Sequence, residues 1–141
     1  MAFSHLDNVQ GLNLILAIGN TGCGKSTLLN SLIYGKEFLC EKTVDYVSAQ
    51  NKVRKRKVID VVDKYKDDEN YFFFGIGHSQ CKSETFLPAI YMDDESDHTW
   101  IDIAGLNDTS GDLIYLINSF VTKEIFQRAS KVKFLITITP E

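Results

Sequence analysis

The 141-residue sequence predicts an α/β fold, a sheet with helices packed on its faces. Three observations carry that expectation. A short apolar run, "LNLILAI" at 12–18, ends in a glycine-rich loop. A segment with apolar residues three and four apart, "KSTLLNSLIY" at 25–34, follows directly. A second helical pattern at 112–129 leads into another apolar stretch, "KVKFLITIT" at 131–139.

Each element has its own signal. "LNLILAI" lacks polar alternation and reads as a strand of a parallel sheet, buried on both faces. In 25–34, Leu28, Leu29, Leu32 and Ile33 recur at helical spacing, and Gly35 is placed to end the helix. The middle, about 36–84, reads as an insertion. Within it "KTVDYVS" and "KVIDVVD" are β-like, and the basic stretch between them reads as a solvated hairpin turn. "YFFFGIG", 71–77, reads as a further strand before the polar loop "HSQCKSET". "FLPAIYM" and "HTWIDIA" read as an antiparallel pair around the acidic turn "DDESD", and Pro88 favours an edge position for the first. The pattern in 112–129 runs through Leu113, Leu116, Ile117, Phe120, Glu124 and Phe126, and "KVKFLITIT" reads as a final buried strand.

Composition narrows the function classes. The net charge of −4 leaves no global basic field, so DNA is not an expected partner. Cys23, Cys40 and Cys81 show no repeated close spacing, which argues against a disulfide scaffold or a zinc site and for a cytoplasmic location. No apolar run approaches the roughly 18 residues that a transmembrane segment needs.

The chemistry starts at "GNTGCGKST", residues 19–27, which satisfies G-x-x-x-x-G-K-[ST] between a predicted strand and a predicted helix. Such a loop turns its amides inward at a helix N-terminus, where the helix dipole also favours negative charge. Gly19, Asn20, Thr21, Gly22, Cys23, Gly24, Lys25, Ser26 and Thr27 are therefore the candidate phosphate-binding residues. Lys25 is the residue to reach the β- and γ-phosphates, and the Ser26 hydroxyl is a Mg²⁺ ligand. Cys23 is expected only to be small enough for the loop.

A second segment, "WIDIAGLNDTSG" at 100–111, ends an apolar strand in Asp102, with Gly105 three residues on. If this strand lies parallel beside the first, Asp102 reaches the phosphate-loop edge and supports Mg²⁺ through water. The Gly105 amide would then sense the γ-phosphate.

"GNTGCGKSTLLNSL" with "DIAGLNDT" resembles the translation-factor-related class of P-loop GTPases, nearest to septin-like and immunity-associated (avirulence-induced) members. Those families typically read D-T-P-G-L-x-D-T at the second motif. Here Asp102, Gly105, Leu106, Asp108 and Thr109 stand in register, with Ile103 and Ala104 replacing Thr-Pro. The resemblance implies a three-layer P-loop NTPase sheet, GTP/GDP and Mg²⁺ as ligands, and pairing of two copies through the nucleotide face. It also implies a switch threonine before the second motif strand. Thr85 fits that role as Mg²⁺ ligand and γ-phosphate sensor, with Thr43 as its competitor, so Lys25 and Thr85 are the candidate catalytic residues.

Two parts of the family pattern are missing. Neither [NT]-K-x-D nor the later base-contacting turn occurs, so residues 1–141 resemble the first part of a GTPase domain, ending after the strand that follows the second switch helix. The position that often carries a water-orienting Gln is Leu106, which predicts slow hydrolysis unless His78, Gln80 or a partner's arginine helps. Two alternatives stand beside a GTP-binding switch: an ATP-using P-loop enzyme, and a non-catalytic P-loop fragment that acts through protein contacts.

Overall fold

The computed structural model describes residues 11–48, 50–77, 88–93, 95–103 and 112–138, with the side chain of residue 114 left aside. It is a small α/β protein with a mixed four-strand sheet, a separate two-strand hairpin and, among the described residues, three helices. Strand β1 (Asn13–Ile18) leads through the glycine loop into helix α1 (Lys25–Tyr34). Strands β2 (Leu39–Val47) and β3 (Val53–Val61) form the hairpin, and α2 (Asp63–Lys66) is a single turn after it. Strands β4 (Ala89–Met92) and β5 (Thr99–Asp102), helix α3 (Asp112–Arg128) and strand β6 (Lys131–Ile136) complete the chain.

The sheet order is β4-β5-β1-β6. β1 is central and parallel to both β5 and β6, while β4 pairs antiparallel with β5 at the edge. The pleat sends alternate residues of β1 to opposite faces. Leu14 and Leu16 join Ile101, Ile103, Val121 and Ile125 on the α3 side. Ala17 joins Leu29 and Phe74 on the α1 side. Fully burying a side chain such as Leu16 or Ile125 contributes about 1.5–3 kcal/mol. Gly35 ends α1 as expected: its φ is 84°, and its N–H donates to the Ser31 carbonyl at 2.9 Å.

Four expectations need correction. The segment 71–77 is not a strand. Asn30 of α1 occupies the place of a strand neighbour, donating its amide to the Phe74 carbonyl and accepting the Phe74 N–H, both at 2.8 Å. With its backbone satisfied by one side chain, Phe74 is fully buried without a sheet. The basic run is not the hairpin turn either. Its residues 53–57 belong to β3, paired with 43–47 of β2, and the turn lies at 48–52, where Asn51 adopts a positive φ of 56°.

Strand β6 is not buried. Among the described residues it forms one edge of the sheet, with Phe134 and Ile136 more than half exposed. Finally, α3 forms where expected but turns a different side to the sheet. Val121, Ile125 and Asn118 are buried, whereas Leu113, Leu116, Ile117 and Phe120 are exposed. The helix is apolar on two sides, and periodicity alone does not say which one the sheet covers.

The hairpin is seated on the sheet-bearing body by rings. Tyr34 at the end of α1 stacks on Phe38 with centroids 4.3 Å apart, and Phe38 stacks on Tyr65 at 4.7 Å. Tyr71 closes the cluster at 4.9 Å from Tyr65. These contacts hold the first residues of β2 beside the outer face of α1.

Candidate phosphate-binding site

The loop from Gly19 to Gly24 connects the C-terminal end of β1 to the first turn of α1. Gly24 is the N-cap at φ 85°, a left-handed conformation that a side chain would strain. At Gly19 the limit is space. A Cβ there would lie 2.3 Å from the Thr137 hydroxyl and 2.6 Å from the Cys23 sulfur.

Lys25 is almost buried, 8% exposed, although it is a lysine. Its ammonium donates to the carbonyls of Gly19 at 3.3 Å and Asn20 at 3.1 Å. The side chain is thus folded back over the loop rather than extended into solvent. An ammonium has three protons, so two loop carbonyls leave one for an incoming oxygen. The Thr21 hydroxyl is also buried and has no partner among the described residues.

Asp102 ends β5 and stands in register with Ala17 of β1, so the parallel pairing brings it to the edge that carries the loop. The Ser26 hydroxyl donates to its Oδ2 at 2.5 Å. Its Oδ1 is buried, with no partner among the described residues. Burial pushes the Asp102 carboxyl up to about 6; the Ser26 hydrogen bond and the Lys25 charge pull the other way without cancelling it. Near neutral pH the site therefore holds a buried, under-partnered carboxylate next to a hydroxyl. That deficit suits a cation.

Among the described residues no group of three or more His, Cys, Asp or Glu could cage a metal. A hard cation here would rest on Ser26, Asp102, ligand oxygens and water, which is the usual coordination habit of Mg²⁺. Thr85 and Gly105 lie outside the described residues, as do Leu106, His78 and Gln80. The competitor Thr43 lies in the hairpin, opposite Lys57, as part of a β-ladder.

Sequence reasoning missed two residues. Thr137 lies just past β6; its N–H donates to the Ile18 carbonyl at 2.9 Å, and its hydroxyl meets the Cys23 sulfur at 2.7 Å. It thereby forms a wall of the loop. Asn30 fixes the helix that carries Lys25 and Ser26 to the 71–77 segment. Both act across distances in sequence, 114 residues from Thr137 to Cys23 and 44 from Asn30 to Phe74, that no local pattern signals.

No helix among the described residues is long and apolar enough to cross a membrane. No family model, curated protein or solved structure matches the chain.

Proposed function

We propose that the chain binds nucleoside triphosphates with Mg²⁺ on a three-layer P-loop NTPase fold and works as a guanine-nucleotide switch with slow hydrolysis. One observation carries the reading. A folded-back Lys25 and the Ser26–Asp102 couple meet at one edge of two parallel strands. An ammonium with a spare proton next to an under-partnered carboxylate suits a polyanion bound together with a divalent cation.

In this reading Lys25 and the loop amides neutralise the phosphates. Ser26 and Asp102 would hold Mg²⁺ with help from Thr85, and the bound ion supplies positive charge at the outer phosphate oxygens. Gly105 would report the γ-phosphate. Leu106 offers no group to orient the attacking water, which makes turnover slow. The guanine preference and the pairing of two copies across the nucleotide face rest on the resemblance of "GNTGCGKST" and "DIAGLNDT" to septin-like GTPases.

Titration with fluorescent GTP and ATP analogues, with and without Mg²⁺, tests the proposal. GTP is expected to bind more tightly, and only with Mg²⁺ at full strength. Lys25→Ala is expected to weaken binding by about 100-fold, since a charge-assisted contact is lost from a buried position. Selectivity for ATP would make the chain an ATP-using P-loop protein. Absence of binding to either would leave a non-catalytic domain that acts through protein contacts.

A further inference from the structure

A groove of about 510 Å³ runs between α1 and the foot of the β2–β3 hairpin. Its near wall is Thr27, Leu28 and Ser31 of α1, and its far wall is Leu39, Cys40 and Ile59 of the hairpin. Thr27 is the last residue of the phosphate motif, so the groove begins where the loop ends. We infer that this groove takes the nucleoside half of the nucleotide, its base lying between α1 and the hairpin while the phosphates lie on the loop. This inference rests on the nucleotide reading above and deepens it.

The groove has the chemistry such a ligand needs. Its volume falls within the roughly 300–1,000 Å³ typical of small-molecule sites. Leu28, Leu39 and Ile59 offer apolar surface for the flat faces of a base. Thr27 and Ser31 stand four residues apart, one turn along the same side of the helix, and present two hydroxyls for ribose or base edges. Lys36 and Glu41 supply charge at the rim. Glu41 lies in register with Ile59 and pairs with Lys57 at 2.8 Å, a surface contact that exchanges readily for a ligand. A triphosphate tail alone has no use for an apolar cleft. The described residues thus contain a place for the base, although the sequence carries no [NT]-K-x-D.

Calorimetry with Mg²⁺ complexes of GTP, ATP and inorganic tripolyphosphate, on the native chain and on Ile59→Trp, separates the two halves. Ile59 is nearly half exposed, so the larger ring fills the groove rather than a core. The preferred nucleotide is expected to bind the native chain at least about tenfold more tightly than tripolyphosphate. In Ile59→Trp most of that advantage should disappear while tripolyphosphate binding stays the same.

If nucleotide and tripolyphosphate bind equally, or Ile59→Trp leaves nucleotide affinity unchanged, the groove serves something else, such as an apolar peptide segment, and the inference is overturned. Failure of both ligands to bind would instead sink the phosphate-loop reading itself.

Discussion

Two buried aspartates, one in each sheet, show how this chain separates holding from binding. Asp60 lies at the base of the hairpin and is 7% exposed. Its Oδ1 accepts the Val61 N–H at 2.8 Å; its Oδ2 accepts the Lys66 ammonium at 2.6 Å, with the Lys42 ammonium at 3.6 Å. Asp102, 1% exposed at the end of β5, has one hydroxyl on one oxygen and, among the described residues, no partner on the other. Burial costs both ions their hydration. Only Asp60 recovers it inside the fold, which is how a structural carboxylate is built. Asp102 leaves its deficit at the mouth of a phosphate-type loop, where a ligand can relieve it.

The largest expected effect comes from removing the Asp102 charge. Its folded pKa is raised, so the folded state binds more protons than the unfolded state between pH 3.8 and about 6, and stability falls as pH rises through that window. The loss is complete above about pH 6 and is on the order of 3 kcal/mol. Asp102→Asn, which keeps an acceptor for Ser26, should recover most of it at pH 8 and nothing at pH 3.5. Chemical denaturation at the two pH values checks this. The same variant should abolish the Mg²⁺ enhancement of nucleotide affinity, which in the native chain should grow as pH rises through about 6 and level off above it. A variant no more stable than the parent at pH 8 would remove the contrast between the two aspartates.

A smaller effect of opposite sign is expected from Asp60→Asn. It strips the charge from a carboxylate whose lysine partners are themselves partly exposed and screened, so the loss should be about 1–2 kcal/mol by denaturant melt. Nucleotide affinity should not move. The smallest effect belongs to the outer hairpin, where Lys57 meets Glu41 with both side chains more than half exposed. Lys57→Gln should change stability by less than about 0.5 kcal/mol. A larger loss there would show that the hairpin's surface charges carry more of its stability than its packing does.

The parts legible in the sequence are those whose constraints are local. Gly19 to Thr27 can be read because the loop's turn, its lysine and its serine sit within nine consecutive residues. Asp102 can be read because it ends a short apolar strand, and the parallel β1–β5 ladder then sets it beside the loop. The hairpin and the β4–β5 pair follow from alternation and turn chemistry, with Pro88 just ahead of the edge strand as expected. Other features depend on distant partners. Four aromatic-rich residues at 71–74 look like a strand, yet the Asn30 amide supplies what a neighbouring strand would. "KVKFLITIT" looks buried because it is apolar, yet its position at the sheet edge is a matter of topology. Thr137 gives no sign in the sequence that it walls the phosphate loop.

The bracket between Asn30 and Phe74 ties two mechanical parts together. The helix bearing Lys25 and Ser26 cannot slide or tilt far without breaking two backbone-directed bonds, and Phe74 would lose its seat under the sheet in the same event. Leucine would match asparagine at position 30 in bulk, yet it would uncouple the two. The position of the anion-binding helix and that of the chain around Phe74 are therefore coupled through a single side chain.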